Sequence, residues 1–476
     1  MEPYTGRIEP ISGRFLRQQS AVFTRDNGVM GVADADVEPL AAGASNYVRP
    51  YDGKLTTTGL AAYVDTLKKS LTARQARAHR ADPGTLSRQS RQVRTFEECE
   101  LELRQAQLFG SGANVLEFVS AGCRHPGITS FEEERSDRSL LDLANAPATA
   151  GASFMLMLGD QIYADARAGV FDTASDIEKL LPRYRTAFGS PGFRQVARKL
   201  PLYMVADDHE IGDTWSADQR REGAVPLALA RNARRLFDSF QRAHGPDYSG
   251  RLGPSRAGWN NFSFDTDEAS FFVLDTRFSR QVRRNPRMMF KQAWQLLRAW
   301  LTAESAKGNH PKFILSGSVM APGQTRGLGE HPRRGIDTWQ EFPQERLEML
   351  EFIRDLQVRN VVFLSSDYHC SAVAEIEFPG SEYKAWAVVA PPLHAPMRFA
   401  NSGPDDLVAD ESIPPANPVA RVKVLGSWDG EGWLHSRVER VPPGEVPGWN
   451  LLLDYRVRDI DSATVRCHQH QIFMPG

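Results

Sequence analysis

The sequence is short of cysteine, of net charge and of long apolar runs, and each shortage excludes a class of protein. Its 476 residues include four cysteines, Cys99, Cys123, Cys370 and Cys467, too few and too scattered for a disulfide framework. No two of them form a CxxC pair, which excludes a zinc ribbon or knuckle. Lys and Arg number 57 against 59 Asp and Glu. This balance argues against a nucleic-acid binder that works through overall charge.

Signals for export or membrane insertion are also missing. The first ten residues, MEPYTGRIEP, have neither a basic region nor an apolar core, so we expect no signal peptide. The longest apolar stretches, such as Phe271–Leu274 and Val361–Leu364, are far shorter than a membrane span. Hydrophobic residues make up 41% and charged residues 24%, which is ordinary for a globular protein. We therefore expect a soluble, cytoplasmic protein.

Three regions differ in pattern, and we predict domain boundaries between them. Residues 1–115 form an N-terminal extension of loops and helices, and residues 401–476 form a C-terminal β meander with Gly- or Pro-bearing turns. Residues 116–400, between them, form the catalytic domain. A basic stretch at 68–94 either contacts a polyanion or is a solvated helix face and loop.

The central region alternates short apolar runs with helical patterns, which predicts an α/β architecture. The runs are VLEFVSAGC (115–123), SFMLMLGD (153–160), LYMVADDHE (202–210), ASFFVLDTR (269–277), KFILSGS (312–318) and NVVFLSSDYH (360–369). Helical stretches cover Arg231–Arg242, Lys291–Thr302 and Pro343–Leu356. Continuous apolar runs fit strands buried on both faces, and sites in such folds lie at the carboxyl ends of the strands.

One strand end carries the sequence GDQIYAD. Gly159 allows a tight exit from the strand, and Asp160 places a carboxylate at its tip. Such a carboxylate can bridge two cations, and the phenolate of Tyr163 is a hard oxygen donor that favours Fe(III). The alternative is an Asp that caps a helix and a Tyr at the edge of the core.

A second strand end, VADDHEIGDTW, gathers acids around an imidazole. Asp207, Asp208, Glu210 and Asp213 surround His209 within seven positions. Burying these like charges together is costly without a cation or full solvation. The apolar strand that leads into the segment argues against an acidic surface loop.

Two further strand ends carry ligand-type side chains. Asp367 and His369 are two residues apart, so in an extended segment they point to the same side. Two different ligands on one face suit a binuclear metal site. Cys123 ends the run 115–123, where it is either a thiolate ligand or a small buried residue.

Together these motifs resemble the PhoD-like alkaline phosphatase family, within the calcineurin-like metallophosphoesterase superfamily. The matching elements are Cys123 in SAGC, GDQIYAD (159–165), DDHE (207–210), LDTRFSR (274–280) and SSDYH (365–369). The resemblance covers about 116–400 and implies a sandwich of two β-sheets flanked by helices. Ser366 replaces the Gly of the family's SGD-x-H pattern. The export signal and N-terminal β-domain of secreted members are not recognisable in residues 1–115.

The resemblance implies a binuclear or multinuclear metal site. The implied ligands are Cys123, Asp160, Tyr163, Asp208, Asp213, Asp367 and His369. Asp160 would bridge two cations, while Cys123, Tyr163 and His369 would hold Fe(III). Asp208 and Asp367 would hold a second divalent cation, Ca²⁺ in the PhoD type, with Zn²⁺ or Mn²⁺ as alternatives. The family usually has Asn where Asp213 stands.

Other residues would act on the phosphate. His209 would protonate the leaving-group oxygen or hold the phosphate. The guanidinium fork of Arg277 matches phosphate oxygens, although a surface salt bridge is the alternative. Arg124, His125 and Arg280 are further candidates for substrate binding.

We therefore expect a metal-dependent phosphomonoesterase or phosphodiesterase. Hydroxide generated from water by the cations would attack phosphorus in line, with His209 and the cations stabilising the developing charge. The substrate would be a small or polymeric phosphate ester, and nucleic acid would be bound only as a substrate. One alternative is a non-catalytic protein that binds a polyanion or a partner through residues 68–94. Another is a different metallohydrolase on the same fold. The sequence makes no prediction of oligomeric state.

Overall fold

A computed structural model describes residues 115–126, 132–167, 170–171, 177–221, 223–242, 261–283, 286–325, 337–395, 403–442, 446–459 and 461–476. In these ranges two multi-stranded β-sheets face each other and helices cover their outer faces. The predicted α/β sandwich is therefore confirmed. The N-terminal extension, apart from its last residue, and the basic stretch at 68–94 lie outside the described residues.

Strands and helices alternate through the described chain. The strands are β1 (Val115–Arg124), β2 (Met155–Leu158), β3 (Ala166–Arg167), β4 (Val170–Phe171), β5 (Leu202–Val205), β6 (Phe262–Asp265), β7 (Ser270–Val273), β8 (Lys312–Leu315), β9 (Val361–Ser365), β10 (Ser371–Glu377), β11 (Lys384–Val389), β12 (Pro392–His394), β13 (Asp410–Ile413), β14 (Ala420–Trp428), β15 (Glu431–Arg440), β16 (Gly448–Arg458) and β17 (Arg466–Pro475). The helices are α1 (Glu132–Asn145), α2 (Pro147–Gly151), α3 (Ile177–Gly189), α4 (Pro191–Lys199), α5 (Ala224–Phe240), α6 (Lys291–Lys307) and α7 (Pro343–Asp355). The six apolar runs correspond to β1, β2, β5, β7, β8 and β9, as predicted.

The first sheet has the strand order β17-β16-β15-β1-β2-β5, and β12 also pairs with β1. Strands β1, β2 and β5 run parallel, so their carboxyl ends come together at one edge of the sheet. The second sheet has the order β13-β14-β10-β11-β9-β8-β7-β6. Its strands β7, β8, β9 and β11 are also parallel to one another. This arrangement presents the chain segments that follow the parallel strands of both sheets as candidate positions for a site.

The C-terminal residues complete both sheets. Strands β15, β16 and β17 form an antiparallel meander that joins the first sheet at β1. Strands β13 and β14 instead join the second sheet at β10. The meander is thus part of the sandwich, and the boundaries at 115/116 and 400/401 stay predictions.

Aromatic side chains fill the space between the sheets. Phe118 stacks on Phe154 with ring centroids 5.3 Å apart, and it meets Phe271 edge-on at 5.5 Å. Phe271 stacks in turn on Phe313 at 4.9 Å. Each buried ring contributes about 1.5–3 kcal/mol by burial, and each ring pair about 0.5–1.5 kcal/mol more. This layer fixes the two sheets face to face and so fixes the strand ends.

No described helix has both the length and the apolar character needed to cross a membrane.

Candidate active site

Four residues at the strand ends adopt left-handed backbone conformations. Their φ angles are 36° for Cys123, 51° for Asp160, 70° for Asp367 and 57° for His369. A non-glycine residue in this region costs about 1–3 kcal/mol, and such residues concentrate at functional sites. The turns direct these four side chains, which come from three different strand ends, into a common space.

Three overlapping groups of metal-ligand atoms result, and within each group the atoms lie within 4.8 Å of one another. The groups are Cys123, Asp160 and His369; Asp160, Asp208 and His209; and Asp160, Asp207, Asp208 and Asp367. Asp160 belongs to all three. Among these groups of described residues, Asp160 is all that the Cys123 group has in common with the other two, and a carboxylate shared in this way suits a binuclear site.

Negative charge is concentrated in the third ligand group, Asp160, Asp207, Asp208 and Asp367, which we call the acid group. Burial raises the pKa of Asp160 well above its usual range, and the charge of Asp208 raises it further. Burial and the charge of Asp207 raise the pKa of Asp367 in the same way. Burial also opposes ionisation of Asp208, but His209 and Arg277 outweigh it and lower that pKa to about 2. Cations relieve this repulsion directly, because they favour the charged form of every carboxylate.

The donor set fits cations on chemical grounds. Oδ2 of Asp207 is buried and has no hydrogen-bond partner among the described residues. The Cys123 sulfur lies 3.6 Å from Oδ2 of Asp160, and burial raises the pKa of its thiol. A bound metal would favour the thiolate instead. Sulfur, imidazole and oxygen donors on one side and carboxylates on the other suit two different ions.

Tyr163 lies beside the sulfur and imidazole ligands. Its hydroxyl is 3.2 Å from Nε2 of His369. The ring of His125 meets it edge-on at 4.7 Å, and burial lowers the pKa of His125 to about 4. The phenol is thus within reach of the group that contains Cys123, and His125 packs against it as a neutral ring.

His209 is held by the carboxylate of Asp165, which was not among the predicted site residues. Its Nδ1 lies 2.9 and 3.0 Å from the two carboxylate oxygens of Asp165, so this nitrogen carries a proton and donates it. The ring also stacks on Tyr163 at 4.0 Å. Burial opposes protonation, but Asp208, Asp160 and Asp165 raise the pKa of His209 well above its usual value. The side chain is therefore an oriented proton donor, and its ring also belongs to the second ligand group.

Glu210 ties two strand ends together. Its carboxylate accepts the backbone N–H groups of Asp160 at 3.1 Å, Gln161 at 2.9 Å and Asp207 at 2.6 Å. Burial raises the pKa of Glu210 to about 8. Glu210 and Asp165 were available in the DDHE and GDQIYAD motifs, but neither was singled out as a site residue.

Asp207 is a third acid that was not among the predicted site residues. Two glycines let the backbone approach it: a Cβ at Gly159 would lie 2.7 Å from its Cβ, and one at Gly317 would lie 2.7 Å from its Cγ. Gly159 also has a φ of 100°. Because both positions need glycine, Asp207 is fixed between the exits of β2 and β8.

The three arginines that were predicted to act on the phosphate are instead paired with groups of the protein itself. Arg277 is fully buried and donates to Oδ1 of Asp207, 2.9 Å from Nε. The guanidinium of Arg280 pairs with Asp337, which is not in any predicted motif. The guanidinium of Arg124 turns towards the helices, where it contacts Asp137 at 2.9 Å and three other acceptors. These contacts support a positioning role for Arg277 and Arg280 and give no support to substrate binding by Arg124.

Asp213 lies at the exposed rim and belongs to none of the three ligand groups of the described residues. Its backbone N–H donates to Oδ2 of Asp165 at 2.7 Å. Partial burial of its carboxylate raises its pKa, and the charge of nearby Asp208 raises it further. Metal binding by Asp213 stays a prediction.

A family model described as PhoD-like phosphatase matches residues 142–426 of the chain. The chain belongs to the PhoD-like phosphatase family. The match includes all of the strand-end residues described above except Cys123, Arg124 and His125, which precede it. Family membership thus agrees with the resemblance noted in the sequence.

Two known proteins are similar over part of their length. Alkaline phosphatase D of Bacillus subtilis (strain 168) is 25% identical over 188 residues, which cover 36% of this chain and 31% of that protein. The chain therefore matches about a third of that relative. A solved structure titled "Structure of PhoD" superposes with a TM-score of 0.55 and 16% identity. It covers 76% of this chain and 70% of its own, and it supports the sandwich fold.

Proposed function

We propose that the protein hydrolyses phosphate esters, as a phosphomonoesterase, a phosphodiesterase or both, at a site that holds at least two metal ions. One observation carries the proposal: three ligand groups share the buried carboxylate of Asp160 at the ends of parallel strands. Membership of the PhoD-like phosphatase family supports the same reaction. The substrate we propose is a small or polymeric phosphate ester.

The proposed ligands would form two metal positions, one for Fe(III) and one for a second cation. Cys123, Tyr163 and His369 would hold Fe(III), because thiolate, phenolate and imidazole donors suit it. Asp208 and Asp367 would hold a second divalent cation, for which we propose Ca²⁺, with Zn²⁺ or Mn²⁺ as alternatives. When bound, the ions would supply Lewis-acid activation of the phosphate and of water. Asp160 would serve both positions.

The protein's own groups would orient the substrate and move a proton. His209, protonated on Nδ1 towards Asp165, would donate from its other ring nitrogen to the leaving-group oxygen. Of the three carboxylates that raise the pKa of His209, Asp165 lies outside the ligand groups of the described residues, so it would favour the protonated ring with or without bound metal. Glu210 would hold the ends of β2 and β5 together, because its carboxylate accepts backbone N–H groups from both. Water exclusion would come from the burial of the acid group.

A panel of phosphate monoesters and diesters tests the proposal. The protein is assayed as purified, after chelation, and after addition of iron with Ca²⁺, Zn²⁺ or Mn²⁺. We expect hydrolysis that depends on metal in wild type and in Glu411→Gln, whose carboxylate pairs with Arg346 outside the ligand groups. Binding of the same esters without turnover, under every metal condition, would indicate a non-catalytic polyanion-binding protein instead.

A further inference from the structure

Asp337 connects two buried arginines. Its side chain is 14% exposed, and it lies 2.5 Å from Nη2 of Arg277. It also pairs with Nη1 of Arg280. Arg280 is held on its other sides by the carbonyl of Thr276 and the hydroxyl of Ser318. Asp337 thus links the guanidinium groups of two arginines that are buried from solvent.

Arg277 carries this network to the acid group. Its Nε and Nη2 donate to the same oxygen, Oδ1 of Asp207, at 2.9 and 2.5 Å. Its Nη1 donates to the carbonyl of Trp215 at 3.3 Å. The other carboxylate oxygen of Asp207, Oδ2, is buried and has no hydrogen-bond partner among the described residues. Since Oδ1 is occupied, only Oδ2 is available to a cation.

We propose that Asp337 is a positioning residue for the metal site: it holds Arg277 on one oxygen of Asp207 and so leaves the other oxygen for a cation. The proposal rests on the proposed function and adds Asp207 to its ligands. The signs of charge alternate along Asp207, Arg277, Asp337 and Arg280, so the network is neutral as a whole. The charge of the remaining acids is left for the metal ions.

The charges of this network also predict how loss of the Asp337 carboxylate changes cation binding. Without Asp337, the charges of Arg277 and Arg280 would face Asp207, Asp208 and Asp367 uncompensated. Arg277 is in direct contact with Asp207, and the ligand atoms of Asp207, Asp208 and Asp367 lie within 4.8 Å of one another. Arg277 would then compete with a cation for the acid group. Asp337→Asn should therefore weaken cation binding without removing any proposed ligand.

Titration calorimetry of the metal-free protein with Mn²⁺, without substrate, tests this inference. We expect Asp337→Asn to bind Mn²⁺ about tenfold more weakly than wild type, as loss of a charge several ångströms from a divalent ion predicts. The kcat should return to the wild-type value at proportionally higher Mn²⁺. Glu411→Gln is the matched control, because Glu411 is 16% exposed and pairs with a buried arginine outside the ligand groups. It should bind Mn²⁺ as wild type does.

A second variant covers the case in which Asp337→Asn does not fold. Arg280→Gln leaves Asp337 wholly to Arg277, so Mn²⁺ binding should be unchanged or tighter; weaker binding would contradict the inference.

Equal Mn²⁺ affinity in wild type and Asp337→Asn, with ester hydrolysis in both, would overturn the role of Asp337 and leave the proposed function intact. Mn²⁺ binding by wild type without hydrolysis of any ester would contradict the proposed function, and the titration would still decide the role of Asp337. If the same titration showed that wild type binds none of Mn²⁺, Ca²⁺ and Zn²⁺, both would be contradicted.

Discussion

Asp165→Asn tests how the proposed acid is held. The Asp165 carboxylate serves two donors: Nδ1 of His209, at 2.9 and 3.0 Å, and the backbone N–H of Asp213, at 2.7 Å. An amide has the same shape but only one acceptor oxygen and no charge. It can keep one of these contacts well and must weaken the other. Asp165 belongs to none of the ligand groups of the described residues, so bound metal should not change.

The magnitude follows from the contact that is lost. A hydrogen bond to a charged group contributes about 1.5–3 kcal/mol. If that energy acts in the transition state, kcat falls by about 10- to 150-fold. The direction in pH also follows, because the charge of Asp165 helps to raise the pKa of His209. In Asp165→Asn this pKa is lower, so the proton donor is lost earlier as pH rises. The alkaline limb of the kcat/KM profile should move to lower pH.

The assay compares esters with good and poor leaving groups and measures metal content by elemental analysis. His209→Ala should lower kcat by about 10²–10⁴-fold at unchanged metal content, with a smaller loss for nitrophenyl esters. The double variant Asp165→Asn with His209→Ala should lose little more than His209→Ala alone, because the two act as one unit. Fully additive losses, or loss of a metal ion from Asp165→Asn, would refute the reasoning.

Three further predictions concern single side chains. Asp160→Asn should remove nearly all activity and reduce bound metal, whereas full metal content with more than about a tenth of the rate would exclude a bridging role. Tyr163→Phe should change a visible charge-transfer band of the iron-loaded protein, whereas an iron-free, colourless and fully active wild type would exclude iron. Although burial opposes it, contacts with His310 and Lys307 lower the pKa of Glu304 from 4.5 to about 2. Its stabilising effect is therefore present above about pH 4.5 and lost as pH falls towards 2, and thermal unfolding of Glu304→Gln should show a weaker acid dependence than wild type.

The sequence predicted the central strands because these strands are buried on both faces. Continuous apolar runs such as 153–160 and 360–369 are recognisable without knowledge of their neighbours. The helices α1 to α4 were not predicted: α2 and α4 have only five and nine residues, and α3 has Pro182 in its interior, where proline normally argues against a helix. The pairing of β15 with β1 joins residues more than 300 positions apart, and periodicity does not reveal such a partner.

The site was predictable only as far as its motifs are local. Asp160, Asp208 and Asp367 follow apolar strands, and their residue types already indicated metal binding. The contact between Asp165 and His209 spans 44 positions, and that between Asp207 and Arg277 spans 70. Sequence spacing does not give such contacts. The left-handed turns that aim the ligands into one space are also a property of the folded backbone.

The central claim is that hydrolysis depends on ions held by the groups that share Asp160. The most direct test is to measure metal content and phosphate-ester hydrolysis on the same samples during stepwise reconstitution of chelated protein. The account predicts no hydrolysis without metal, and a rate that rises with bound metal until about two or more ions are present per chain. Undiminished hydrolysis by metal-free protein would contradict it.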